Sequence, residues 1–170
     1  MTIYPILIAP DPRLKVKSEP VMEVDDDIRQ LMDDMLETMH SARGIGLAAP
    51  QIDIHKRIIV VDVGGDDEDS QPICMVNPEI VEVSDEDLSH DEGCLSLPEH
   101  FSEVIRPSSV RVRYLDQKNK IRELDADGIL AVCIQHEIDH LDGILFVDHI
   151  SSLKRNMILR KLIKLKNRKS

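Results

Sequence analysis

The sequence predicts an α+β fold in which mostly antiparallel sheets pack around a central helix, with a further helix at the C-terminal end. Three observations carry this. Gly128 to Ile134 and Leu141 beyond it make a segment that is apolar nearly all round, as in a helix buried on every side. The middle of the chain alternates short polar and apolar runs around turn residues, as hairpins do. Helical spacing of apolar residues appears on either side, from Asp25 and from about Ser151.

Taken in order, residues 1–20 contain Pro5, Pro10, Pro12 and Pro20, which break any helix and predict an irregular arm over the surface. Ile28, Leu31, Met32, Met35, Leu36 and Met39 then recur at helical spacing behind Asp25, Asp26 and Asp27, which suit a helix N-terminus. This amphipathic helix is expected to end near Gly44, with its methionine stripe as core packing. Gly44 to Gln51 is a run of small residues that allows close backbone approach and stops at Pro50. It is no phosphate loop, because no Gly-Lys-Ser/Thr follows.

Ile58 to Val63 reads as a buried strand, Gly64 to Gln71 as an acidic loop, and Cys74 to Ser84 as strand around a bend at Asn77-Pro78. Asp85 to Asp91 is acidic and expected to loop into Glu92-Gly93-Cys94-Leu95-Ser96-Leu97-Pro98. Ser109 to Tyr114 and Lys120 to Leu124 alternate in polarity around Asp116 to Asn119, a hairpin, and the buried helix follows from near Asp125 or Asp127. After Gly143 and a short apolar segment, Leu153, Met157, Leu159, Leu162, Ile163 and Leu165 give the last helix a broad apolar face among basic residues. With no internal repeat or linker, residues 1–170 are expected to form one domain, in which 151–170 is a basic C-terminal helix.

At 42% apolar and 31% charged residues, the chain has enough hydrophobic surface for a core, which excludes general disorder. Only 2% are aromatic, so the core is aliphatic and methionine-rich and an aromatic ligand cage is excluded. Residues 1–153 hold 13 Lys and Arg against all 32 Asp and Glu, a charge of −19, whereas residues 154–170 carry +8 with no acid. Such asymmetry suggests an anionic partner for the tail: RNA, a membrane surface or the acidic body itself. Three cysteines cannot all pair internally, and the N-terminus has no basic region followed by an apolar run and a cleavage site, which points to a reducing cytoplasm. No stretch approaches eighteen consecutive apolar residues, so no membrane span is expected.

The chemistry concentrates at His136-Glu137-Ile138-Asp139-His140. On a helix this His-Glu-x-x-His spacing sets the two histidines one turn apart, able to clasp one metal ion. Glu137 follows the first histidine directly, so its carboxylate can take the proton of a water during hydrolysis. The plain alternative is a solvated acidic face with two satisfied core histidines. The apolar flanks argue against it, since a surface helix would not be apolar nearly all round.

Two histidines leave a metal underligated. Cys133 shares their face, but it lies seven residues from His140, about 10 Å along the axis, too far for one short thiolate to reach the same ion. A third histidine in the metzincin pattern fails, because Gly143 matches while the final position is Phe146. Asp148 and His149 are out of register. Cys94 remains, flanked by Gly93 and Pro98, either as a thiolate presented by a rigid loop or as a buried structural thiol.

Together, Gly44 to Gln51, Glu92 to Pro98 and Gln135 to Gly143 resemble the three motifs of the peptide deformylases. Each is moderately specific and the ordered trio highly so. The likeness covers nearly the whole chain, including a C-terminal helix like that of the bacterial, Gram-negative-like class. It implies that Cys94, His136 and His140 bind one divalent metal, commonly Fe²⁺ in the family, with Zn²⁺, Ni²⁺ or Co²⁺ able to substitute. The implied reaction removes formate from N-formylmethionine at the start of new polypeptides, with Glu137 relaying a proton to the leaving amine. The Leu95 backbone N–H and the Gln51 side-chain amide are the implied oxyanion donors. Ile45, Ile129, Val132 and Cys133 would wall the methionine pocket, Gly46 would bond the peptide backbone, and Glu92 with Arg106 would steady the loop bearing Cys94.

Two positions depart from the family pattern: His90 stands where an aliphatic pocket residue is usual, and Phe101 where Arg or Tyr is frequent. They put side-chain preference at the pocket rim in question, not the chemistry. The basic C-terminal helix is expected, by the same resemblance, to dock on the ribosome through rRNA. Two rival readings share parts of this pattern. A His-Glu-x-x-His metallopeptidase would leave the first two motifs unexplained, and a non-catalytic ribosome-associated module would have no use for Glu137 and Gln51.

Overall fold

The structure is a computed structural model describing residues 2–64 and 70–169. Most of the acidic loop expected between Gly64 and Gln71 therefore lies outside the described residues. The proline-rich start is irregular as its composition requires, apart from a 3-10 turn at Pro12–Lys15. It is nevertheless tied down. Leu7 N–H donates to the Gln51 carbonyl at 2.8 Å and Ala9 N–H to the Ser96 carbonyl at 2.8 Å, so the arm clamps two loops that meet at the site.

Helix α1 spans Asp26–Ser41, and the Ile28 N–H is capped by the Asp25 carboxylate at 2.9 Å. Met32, Met35 and Met39 are wholly buried, so the methionine stripe is core. Strands β1 (Gly46–Ala48), β2 (Ile58–Val61), β3 (Ile73–Val83), β6 (Ser109–Leu115) and β7 (Ile121–Asp127) form one sheet in the order β1-β2-β3-β6-β7. Strands β4 (Asp87–Cys94) and β5 (Leu97–Pro107) form a separate hairpin, and every pairing in both sheets is antiparallel. The fold is thus the expected α+β arrangement. The bend at Asn77 is real: its φ is +51°, and its amide bonds both the N–H and the carbonyl of Val21 at 2.8 Å.

One expectation fails. Asp85 to Asp91 is not an acidic loop, because β4 begins at Asp87. Its alternation is real, but the inward positions are Leu88, His90 and Glu92, so polarity does not mark the pleat.

Helix α2 (Gly128–Leu141) runs through the middle of the molecule, with residues 131 to 138 all buried. Ala131, Ile134 and Leu141 pack on Ile59, Val61, Met75 and Val112 of the larger sheet. A third cluster, with Leu97, Val104, Phe146 and Leu162, joins the hairpin to helix α3 (Ser152–Lys169). Of the broad apolar face expected on α3, only Leu162 is fully covered, while Leu153 stays 72% exposed. No helix among the described residues is long and apolar enough to cross a membrane.

Candidate active site

The buried helix α2 carries His136, Glu137 and His140, and the two imidazoles meet edge to face with centroids 5.0 Å apart. The hairpin supplies the third group. Its turn is only Leu95-Ser96, with Cys94 paired to Leu97, so the thiol is held on strand backbone and not on a mobile loop. Cys94 Sγ lies 3.3 Å from His140 Nε2, and the ligand atoms of Cys94, His136 and His140 all fall within 4.8 Å of one another. Cys133 stays outside this group and points its Sγ at the Ile45 carbonyl, 3.5 Å away.

The donor set fits a divalent ion. Two imidazoles and one thiolate are the borderline-soft ligands that such ions take, and three protein ligands leave one position open. His136 Nδ1 is 2.9 Å from Glu92 Oε1, which frees the opposite ring nitrogen for the ion. His140 Nδ1 is buried without a partner among the described residues. Burial opposes charge on both rings. At His136, hydrogen bonds with Cys94 and Glu92 overcome it and hold the pKa well above the ordinary value. At His140, burial and the neighbouring His136 and Arg106 charges push it well below.

Around this centre, Arg106 grips Glu92 through Nε to Oε2 at 2.6 Å and Nη2 to Oε1 at 2.9 Å, and it reaches Asp139 Oδ2 at 2.9 Å. Asp139 in turn faces His149 Nε2 at 2.9 Å. Burial works to raise the Glu92 pKa, yet its bonds with His136 and Arg106 bring it down to about 2. The expected pairing of Glu92 with Arg106 is present, while Asp139 and His149 extend it in a way sequence reasoning missed. Asp139 was visible inside the helical motif; His149, ten residues on, was weighed only as a metal ligand and set aside as out of register.

A cleft of about 480 Å³ opens beside these groups, and its walls include Ile45, Gly46, Gln51, Leu95, Ile129, Val132, Cys133, His136 and Glu137. All the residues picked for substrate contact thus line one space, which His90 and Phe101 also border. Glu137 is buried, and its Oε1 has no partner among the described residues. Burial drives its pKa up to about 7. Gly46 sits so close that a Cβ there would overlap Glu137 Oε2 and stand 2.7 Å from Cys133 Sγ, so only glycine lets the strand pass the carboxylate. Gln51 is held by the Ala48 N–H, which donates to its Oε1 at 2.9 Å. Its Nε2 donates to Ser96 Oγ at 3.1 Å and turns its other proton toward Cys94 Sγ, 3.6 Å away. Ser96 is a further contributor that sequence reasoning missed, although it lies inside the Glu92 to Pro98 motif.

The family model for polypeptide deformylase matches residues 3–156. This chain belongs to the peptide deformylase family. The peptide deformylase of Methylocella silvestris is 56% identical over 167 residues, covering 96% of this chain and 85% of that one. The Ehrlichia chaffeensis peptide deformylase superposes with a TM-score of 0.94 at 42% identity, covering 99% of each chain. A second structure of the Ehrlichia enzyme, in complex with actinonin, gives 0.91 at 43% identity and covers 96% of this chain and 98% of that one. A peptide deformylase is a metal-dependent hydrolase that removes the formyl group from the N-formylmethionine of new polypeptides, and that is the activity of this chain.

Proposed function

We propose that deformylation takes place in the cleft between α2 and the β4–β5 turn, with Cys94, His136 and His140 holding the metal and Glu137 as the proton carrier. The observation that carries this is the meeting of three ligand atoms within 4.8 Å, beside a buried carboxylate with one oxygen that has no partner among the described residues. A divalent ion held there supplies Lewis acidity, lowering the pKa of water and polarising the formyl carbonyl. Glu137 takes the proton of the attacking water and returns it to the amine nitrogen as the C–N bond breaks, giving formate and a free N-terminus. The Leu95 N–H and the Gln51 proton directed at Cys94 are the donors for charge on the formyl oxygen. Ile45, Ile129, Val132 and Cys133 wall the methionine side chain, and Gly46 offers its backbone to an extended peptide.

Fe²⁺ is the ion proposed, although the donor set also accepts Zn²⁺, Ni²⁺ or Co²⁺. Residues 1–170 are taken as one catalytic domain working in the cytoplasm. Formate release from formyl-Met peptides by anaerobically purified, metal-analysed protein is the direct test. Cleavage of internal peptide bonds, or no formate from iron-loaded protein, would sink this reading. Actinonin, bound by the Ehrlichia relative, is expected to block the release.

For α3 the proposal is docking on the ribosome, supported by its +8 charge against the −19 of the preceding residues. Counterion release makes such binding steeply salt-dependent. Deleting residues 154–170 is expected to abolish ribosome co-sedimentation at low salt, and unchanged co-sedimentation would refute it.

A further inference from the structure

Phe101 borders two separate spaces. On one side it lines the cleft, and on the other it lines a groove of about 310 Å³ between β5 and α3. The groove is formed by Phe101, Ser102 and Glu103 of β5 and by Lys154, Met157 and Lys161 of α3. Phe101 pairs with Gly93, next to Cys94, and its ring lies so close that a Cβ at Gly93 would overlap it. The hairpin thereby presents a low saddle, apolar at its crest, between the metal centre and the groove.

We propose that this groove is an extension of the substrate site and holds the downstream segment of the nascent polypeptide, preferring apolar side chains flanked by acidic ones. The idea rests on the reading of the cleft given above. Three features argue for this occupant. The groove and the cleft share Phe101 as a common wall, so a chain that leaves the cleft over the crest of the hairpin meets the groove next. Phe101 and Met157 are 64% and 48% exposed, leaving apolar surface that a passing side chain would cover. Lys154 and Lys161 form no ion pair among the described residues and outnumber Glu103, which favours acidic residues in the bound segment.

Strand geometry sets the length at which the groove can act. Crossing the two strands of the hairpin, at about 4.8 Å for each strand, takes about three extended residues at ~3.3 Å each, so contact begins near the fourth residue of the substrate. A tripeptide cannot reach it. Because these contacts form equally in ground and transition states, their effect falls on KM and not on kcat.

The test compares a formyl-Met tripeptide with two formylated decapeptides, one carrying leucine and aspartate from about the fourth position and one carrying only glycine and serine there. KM for the leucine–aspartate decapeptide is expected to be roughly three- to tenfold lower than for the other two, at equal kcat. Met157→Ser, and separately the Lys154→Glu, Lys161→Glu pair, should erase that advantage while leaving tripeptide hydrolysis and the thermal midpoint unchanged. Equal KM for all three substrates, with the tripeptide still deformylated, overturns the groove but leaves the cleft reading standing. Failure to hydrolyse even the tripeptide overturns both. Self-association in sedimentation that Met157→Ser abolishes, without any length advantage, would mean that a second copy of the chain fills the groove.

Discussion

Glu137→Gln is expected to lower kcat/KM by about 10²–10⁴ while metal content stays at the wild-type level. The substitution keeps shape and one hydrogen-bonding oxygen, so neither His136 nor His140 should move; only the capacity to carry a proton is lost. Burial pushes the Glu137 pKa up to about 7, with His136 and Arg106 acting against the rise and Glu92 and Asp139 adding to it. A general base works only when deprotonated, so the rate must climb as pH rises through this pKa. A divalent cation beside the carboxylate favours its charged form, and the acid limb of the loaded enzyme should therefore lie below about 7. In Glu137→Gln that limb should vanish from the residual activity. Full turnover with the glutamine, or an unaltered limb, would remove Glu137 from the reaction.

The two histidines and Glu137 were legible because one short helical segment contains all their information: spacing, face and apolar flanks. Cys94 was not legible by itself. Its nearness to His140 depends on a hairpin turn pressing against α2, and a lone cysteine in sequence carries no sign of which element will come to it. The same cause hid strand β4. Its inward positions include His90 and Glu92, placed there for the site and against the hydrophobic alternation that reveals ordinary strands. The clamping role of the arm, though not its irregular course, was unreadable for another reason. Leu7 and Ala9 act through backbone N–H groups on Gln51 and Ser96, and main-chain bonds leave no mark in residue type. What composition predicted well was bulk architecture, from the methionine stripe of α1 to the β6–β7 hairpin.

The network around Glu92 separates stability from metal binding, and two variants should pull these apart. Arg106→Leu leaves the Glu92 carboxylate, only 3% exposed, without its bidentate partner, and unfolding free energy should fall by about 3–5 kcal/mol in urea titrations. The pH dependence follows the same pair. The Glu92 pKa in the fold, about 2, lies below the ordinary 4.5, so its contribution is present above 4.5 and is lost as pH falls toward 2. Arg106→Leu should forfeit much of that contribution at neutral pH. Replacing both partners, Glu92→Leu with Arg106→Leu, removes the buried charges together and should recover most of the stability, because apolar pairs substitute well for buried ion pairs. It cannot restore the acceptor at His136 Nδ1. The ring would then lose the bond that orients it, and metal affinity should drop about 10–100-fold even in a protein that melts near the wild-type temperature. Wild-type affinity in the double variant would show that packing alone aims His136, and that Glu92 serves only to balance Arg106.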